Sequence, residues 1–147
     1  MIVFIVAVVL GLQAAPAAAP PPESAWTWTL YPDSDPVVLA NEVPDTTSLR
    51  ATLECDAGSG VARLTLYGGA ASGGMARLAA GDASAVSEAE PGRRDGFKLA
   101  VRTDHPVFAA FAAQGRLSVS LGEARRTVEV PRAFLPRLRR FAELCAG

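Results

Sequence analysis

The chain is poor in the residues that build many functional sites, with one histidine and two cysteines among its 147 residues. Structural zinc sites use cysteine and histidine at short, regular spacings, and no such spacing is present. The 15 acidic and 14 basic side chains nearly cancel, leaving a formal net charge of −1, whereas a general nucleic-acid binder carries a basic excess. We therefore expect no metal, no cofactor and no nucleic-acid partner.

An apolar N-terminal stretch comes first in the chain, over residues 1–12, and runs into a segment rich in alanine and proline. A short apolar core followed by small residues is typical of a secretory signal peptide. Ala15 and Ala17 supply the small side chains that signal peptidase needs, so we expect cleavage after Ala17. No basic residue precedes the apolar stretch, although signal peptides usually have one, which leaves open a start further upstream.

The rest of the chain has the length and composition of one domain, since 50% of the residues are hydrophobic and 20% are charged. An uncleaved membrane anchor is the alternative to export, but a spanning helix needs about 20 strongly apolar residues. We expect no stable membrane span after cleavage. The expected organisation is a signal peptide over 1–17, a lead-in rich in proline and alanine over 18–25, and a single β-rich domain over 26–147.

The two cysteines, Cys55 and Cys145, lie far apart in the sequence. In an oxidising compartment an even pair placed in this way is most simply a disulfide, here closing a loop of about 90 residues. Two buried free thiols are the alternative. A catalytic dithiol would need the close spacing of a Cys-x-x-Cys motif, which is absent.

Most of the domain alternates apolar and polar residues with a period of two, which predicts strands with one buried face. Residues 49–55 alternate with Leu53 and Cys55 inward and Arg50 outward, and residues 61–67 run back as the second strand of a hairpin. Residues 117–121 and 127–130 predict another hairpin. Weaker, alanine-rich strands are expected at 75–80 and 83–90, and a loop rich in proline and aspartate at 31–48.

Two helices are expected. Asp104 has the position of an N-cap and Gly115 that of a stop signal for a short internal helix. A longer amphipathic helix begins between Arg132 and Pro136 and buries a face that includes Cys145. These elements predict an α+β fold, in which an antiparallel β-sheet or small sandwich carries the short internal helix and the C-terminal helix packed on it.

Residues for catalysis are few. A Ser-His or Cys-His nucleophile would have to use His105, the only histidine, and a capping or surface role suits its place at a helix start better. Carboxylates could instead act as acid and base or hold calcium, although most lie in segments that predict solvated turns. We expect no catalytic residue and no metal site. The carboxylates weighed for these roles are Asp33, Asp35, Asp45 and Asp104.

Arginine dominates the charged residues of the C-terminal third. An arginine surface suits anionic lipids or an acidic partner, and solvated helix and strand faces are the alternative. Trp26 and Trp28 share one strand face and could stack on a sugar or peptide, but core packing is expected to be their main role. The residues predicted for a binding surface are Arg125, Arg126, Arg137 and Arg140.

The combination of Trp26-Thr27-Trp28, Leu53-Glu54-Cys55, the segment 108–115 and a closing Phe-Ala-Glu-Leu-Cys helix resembles small, two-cysteine, β-rich envelope proteins of Gram-negative bacteria. The resemblance covers most of the chain after the apolar stretch. It implies a periplasmic setting and a Cys55–Cys145 bridge, and it implies no catalytic residues and no substrate.

These observations predict a secreted or periplasmic, non-enzymatic domain that binds another component of the envelope, either an envelope protein or an anionic surface. One alternative is a structural or stress-protective envelope protein without a specific partner. The other is a small hydrolase that relies on carboxylates.

Overall fold

The computed structural model describes residues 19–69 and 72–147. The predicted signal peptide, residues 1–17, lies outside this part of the chain. No helix within the described residues is long and apolar enough to cross a membrane. The described elements are two short 3-10 turns (Glu23–Ala25 and Arg132–Phe134), two helices, α1 (Pro106–Gln114) and α2 (Leu135–Cys145), and the strands β1 (Thr27–Tyr31), β2 (Val37–Glu42), β3 (Leu49–Cys55), β4 (Val61–Leu66), β5 (Gly74–Ala80), β6 (Ala83–Pro91), β7 (Phe97–Arg102), β8 (Arg116–Leu121) and β9 (Ala124–Glu129).

The strands form one antiparallel sheet in the order β1-β2-β3-β4-β7-β6-β5-β8-β9, which curves into a half-barrel. Because side chains alternate between the two faces of a strand, every second residue points to the concave face. There the leucines of adjacent strands pair in a continuous row, and each is at most 3% exposed. The row consists of Leu39, Leu53, Leu64 and Leu99.

The two edges of the sheet approach each other although they lie at opposite ends of the strand order. The indole Nε1 of Trp28 on β1 donates a hydrogen bond to the carbonyl oxygen of Glu129 on β9, at 3.0 Å. The carbonyl of Trp28 in turn accepts a hydrogen bond from Arg137 of α2. Unpaired strand edges expose backbone groups that invite pairing with other chains. The hydrogen bond from Trp28 to Glu129 bridges the two edges through a side chain instead of a backbone ladder, and the bond from Arg137 attaches α2 to β1 beside it.

The two helices pack on the concave face. Helix α1 lies against β5, β6 and β8, helix α2 against β1 and β2, and the helices contact each other. Phe111 and Phe141, one from each helix, are completely buried in the shared core. The predicted α+β fold with an internal and a C-terminal helix is therefore confirmed, as one curved sheet rather than two stacked sheets.

A disulfide joins Cys55, the last residue of β3, to Cys145, the last residue of α2. The two backbones also meet at this point, because Gly60 N donates to the Cys145 carbonyl at 2.7 Å and Gly58 N donates to the Leu144 carbonyl at 2.9 Å. The disulfide predicted from the sequence is thus present. It is compatible with an extracellular or periplasmic protein, since such bonds persist in oxidising compartments.

Both predicted hairpins are confirmed, as β3 with β4 and β8 with β9, and the alanine-rich strands are β5 and β6. The prediction of a loop over residues 31–48 was wrong, because β2 occupies its middle. Val37, Leu39 and Ala40 are all buried there, so both faces of β2 are covered. A strand buried on both faces lacks the alternation that marks a half-exposed one.

The internal helix begins one residue later than expected. His105 is its N-cap, with Nδ1 accepting a hydrogen bond from the backbone N–H of Val107 at 3.1 Å. Asp104, the predicted cap, instead binds Arg102 through both carboxylate oxygens. The predicted stop at Gly115 is correct. Its φ of 77° lies in the left-handed region that favours glycine, and a Cβ there would come within 2.4 Å of the Val130 carbonyl oxygen.

Candidate functional site

A cavity of about 530 Å³ lies where the two edges of the sheet face each other, and we call it the edge cavity. Its volume is within the range of about 300–1,000 Å³ that is usual for small-ligand sites. The lining comes from the first four strands, from β9 and from the segments before β1 and α2. The lining residues are Glu23, Trp26, Trp28, Asn41, Arg50, Ala51, Leu66, Arg126, Thr127, Val128, Glu129, Pro131 and Phe134.

The floor of the edge cavity is a row of paired residues on the concave face. Trp28 pairs with Asn41, Asn41 with Ala51, and Ala51 with Leu66, across β1 to β4. Trp28 is only 2% exposed, so its core role, expected from the sequence, is confirmed. Trp26 is half-buried and forms part of the wall instead.

A β-bulge turns Arg50 toward this cavity. Asn41 pairs with Ala51 but the next residue, Glu42, pairs with Leu49, so Arg50 is the extra residue on β3. Bulges commonly redirect a side chain at the border of a site. The guanidinium of Arg50 lies 4.0 Å from the centroid of the Trp26 ring, a cation–π contact. Strict alternation placed Arg50 on the outward face, away from the cavity, and that prediction was wrong because of the bulge.

Glu23 and Arg50 form a two-pronged ion pair at the mouth of the edge cavity. Arg50 Nη1 donates to one carboxylate oxygen of Glu23 at 2.7 Å and Nη2 donates to the other at 2.8 Å. These hydrogen bonds hold the pKa of Glu23 below its ordinary value of 4.5. The pair therefore favours the folded state fully above pH 4.5, and its contribution is lost as the pH falls through the lowered pKa.

We expect the substitution Arg50→Gln to raise the pKa of Glu23 toward 4.5, because the charged donor on its carboxylate is removed. Titration of the Glu23 carboxyl carbon by NMR measures this shift. The control is Arg63→Gln, since Arg63 pairs with Asp56 and not with Glu23. An unchanged Glu23 midpoint in the Arg50 variant, or an equal shift in both variants, would contradict the prediction.

Arg126 contributes the positive charge on the opposite wall. Its guanidinium reaches from β9 to the end of β4, where it donates to the carbonyl oxygens of Tyr67 at 2.8 Å and Gly68 at 3.0 Å. Burial lowers the pKa of this guanidinium. No carboxylate of the described residues forms an ion pair with it. The edge cavity therefore holds a partly buried cation that neutral carbonyls alone satisfy.

Two buried polar atoms of the lining have no hydrogen-bond partner among the described residues: Nε1 of Trp26 and Oδ1 of Asn41. Leaving such a group unsatisfied costs about 1–3 kcal/mol, and most buried polar groups in proteins are paired. One of these atoms is a donor and the other an acceptor. Both atoms are closed to solvent, so the groups that the cavity presents to a bound molecule are the aromatic surface of Trp26 and Phe134 and the guanidinium of Arg126.

No protein-family model, curated protein or solved structure matches this chain.

The four arginines predicted for a binding surface do not share one surface. Arg125 and Arg126 are neighbours on β9, so their side chains point to opposite faces of the sheet, and Arg126 alone lines the edge cavity. Arg137 lies 5.1 Å from the centroid of the Phe134 ring and donates to Trp28. Arg140 pairs with Glu143 on the exposed side of α2.

A second arginine-rich depression lies beside the edge cavity. It has a volume of about 470 Å³ and is bordered by Arg116, Arg132 and Arg139, with Glu129 as its one carboxylate. All three arginines are exposed. The sequence indicated an excess of arginine in this third of the chain but not this grouping, which depends on the contact between Gly115 and Val130.

The carboxylates weighed for catalysis do not converge. Asp33 and Asp35 lie in the turn between β1 and β2, and Asp45 lies beyond the other end of β2. A six-residue strand spans about 20 Å, which is too far for a shared substrate atom. Asp104 is paired with Arg102, whose hydrogen bonds lower its pKa. Within the described residues, no group of three or more His, Cys, Asp or Glu side chains is arranged to hold a metal ion.

Proposed function

We propose that this chain is a secreted, non-enzymatic domain that binds another component of the bacterial envelope through the edge cavity. The observation that carries the proposal is the lining of that cavity, which combines aromatic surface with the partly buried cation of Arg126. Ligand sites in proteins are concave and place a few polar groups on a largely apolar wall. Here those groups lie where the two edges of the sheet face each other.

Export to the periplasm is supported by the apolar N-terminal stretch and by the Cys55–Cys145 disulfide. A binding role, rather than a hydrolytic one, is supported by the roles that the catalytic candidates already have. His105 caps α1 through Nδ1, and Asp104 is held by Arg102.

Site-specific photo-cross-linking in intact cells tests this proposal. A photoreactive side chain at position 23 replaces Glu23, which is exposed and lies at the mouth of the edge cavity. The control carries the same group in place of Val86, which is 57% exposed on the outer face of β6. We expect discrete adducts from position 23 and none of the same size from position 86.

Identical adducts from both positions would overturn the proposal, because contact would then not depend on the cavity. No adduct from position 23, together with altered envelope permeability in a deletion strain, would indicate a structural protein without a specific partner. Enzymatic turnover that depends on Asp33, Asp35 or Asp45 would indicate the hydrolase instead.

A further inference from the structure

The arginine-rich depression beside the edge cavity has an excess of positive charge. Its three arginines, Arg116, Arg132 and Arg139, are exposed, and Glu129 is the one carboxylate of its lining. None of these arginines forms an ion pair with a carboxylate of the described residues. The whole chain has a formal net charge of −1, so this positive charge is local to the depression.

The elements that border the depression carry too few carboxylates to offset its arginines. Helix α1 and strand β8 have none, β9 has Glu129, and α2 has Glu143. Glu129 stands directly opposite Arg116 in the β8–β9 ladder, so it offsets this arginine. Glu143 is held by Arg140 at 3.1 Å. The charges of the other two arginines of the depression therefore remain uncompensated.

These two arginines lie on one face at the start of α2. Arg132 opens the short 3-10 turn before the helix, and Leu135 and Arg139 follow at spacings of three and four residues, which bring side chains together on a helical surface. The hydrogen bond from the N–H of Val130 to the carbonyl of Gly115 holds the start of β8 beside them, and Arg116 with it. Three guanidinium groups thus border one concave region of about 470 Å³.

The chemistry of this surface suits phosphate groups. The planar guanidinium of arginine donates two parallel hydrogen bonds to a phosphate or carboxylate. Protein interfaces add aromatic and apolar side chains at their centre. The large apolar side chains that are exposed among the described residues are Tyr31, Met75 and Val86, and none of them borders the depression. A charged surface without an apolar centre matches a layer of lipid headgroups better than it matches a protein.

We propose that the arginine-rich depression binds the phosphate groups of an anionic lipid surface and holds the domain reversibly at that surface. Clusters of arginine and lysine bind anionic membranes in this way, because each cation adds to the attraction. The attraction is electrostatic, so salt weakens it. This site is separate from the cation of the edge cavity and goes beyond the proposed function.

Co-sedimentation of the purified, oxidised domain with lipid vesicles tests the proposal. The vesicles contain equal parts of phosphatidylglycerol and phosphatidylcholine, and vesicles of phosphatidylcholine alone are compared. We expect binding to the anionic vesicles only, and weaker binding at higher salt. The double variant Arg132→Gln with Arg139→Gln is expected to bind about tenfold or more weakly, since each cation near a membrane surface is worth about a fivefold change.

The matched control is the double variant Arg77→Gln with Arg125→Gln. It removes the same charge from two exposed arginines outside the depression that form no ion pair within the described residues, and we expect it to bind the anionic vesicles as the native protein does. All four arginines are exposed, so neither variant should change the urea midpoint appreciably.

Equal weakening in both double variants would overturn the proposal, because binding would then follow total charge. Absence of binding to the anionic vesicles would also overturn it. Release from the vesicles by inorganic phosphate, but not by chloride of equal ionic strength, would assign the depression to a soluble phosphate instead of a lipid. Cross-linking from position 23 concerns the edge cavity, so the two proposals stand or fall separately.

Discussion

Replacement of both cysteines, as Cys55→Ala with Cys145→Ala, is expected to lower the free energy of unfolding by about 4–5 kcal/mol. The disulfide closes a loop with a sequence separation of 90 residues, and the chain-entropy model assigns that much to the restriction of the unfolded chain. Total stabilities of domains are about 5–15 kcal/mol. The loss is therefore a large share of what holds this domain together.

The disulfide also affects the structure locally, because it fixes the C-terminal end of α2 to the end of β3. Helix α2 ends at Cys145, and it covers β1 and β2 next to the edge cavity. The backbone hydrogen bonds from Gly58 and Gly60 to the end of α2 can still form in the variant, but they do not restrict the unfolded chain as a covalent bond does. We expect the end of α2 to exchange its amide hydrogens faster than the strands do, since it loses its covalent attachment.

Urea unfolding of the oxidised protein, the reduced protein and the double variant measures the effect. The reduced protein and the variant are expected to unfold at similar, lower concentrations, because both lack the cross-link. The variant measured with and without reductant is the control, and its two curves should coincide. Equal midpoints for the oxidised protein and the variant would contradict the prediction.

Much of the fold could be predicted because a strand with one buried face alternates apolar and polar residues in the sequence. The hairpins β3–β4 and β8–β9 alternate apolar and polar residues, and the buried face of α2 recurs at helical spacing. The alternation of apolar and polar residues does not identify β2, because residues on both faces of this strand are buried. The order of the strands was equally out of reach. β4 pairs with β7 across the hairpin β5–β6, and no local pattern specifies such a distant partner.

The edge cavity could be predicted only in fragments. Trp28 and Glu129 are 101 residues apart in the sequence. No short stretch of sequence therefore predicts the contact between the sheet edges that forms the cavity. One useful signal was available for Arg126. It lies at even spacing from Val128 and Val130, which are both buried, so a period of two places it on the concave face. The direction of the Arg50 side chain could not be predicted, because no residue near it in the sequence indicates the β-bulge that turns it toward the cavity.

The substitution Trp28→Phe is expected to lower the free energy of unfolding by about 1–3 kcal/mol, mostly through the loss of one hydrogen bond. Phenylalanine keeps an aromatic ring in the core but removes the indole N–H that reaches Glu129 on β9. The carbonyl oxygen of Glu129 then loses the side-chain donor that it has in the native protein. Trp28→Ala is expected to cost more, about 3–5 kcal/mol, because it also leaves a cavity at a residue that is 2% exposed.

The matched control is Trp26→Phe. It also removes an indole N–H, but the N–H of Trp26 has no hydrogen-bond partner within the described residues. Its expected cost is smaller, and a slight gain is consistent with the removal of an unsatisfied donor. Chemical unfolding compares the three variants, and hydrogen exchange at β9 reports whether the sheet edges separate. Faster exchange at β9 in Trp28→Phe, but not in Trp26→Phe, would show that the single bond from Trp28 holds the two edges together. Equal costs for both phenylalanine variants, with unchanged exchange at β9, would show instead that packing alone closes the half-barrel.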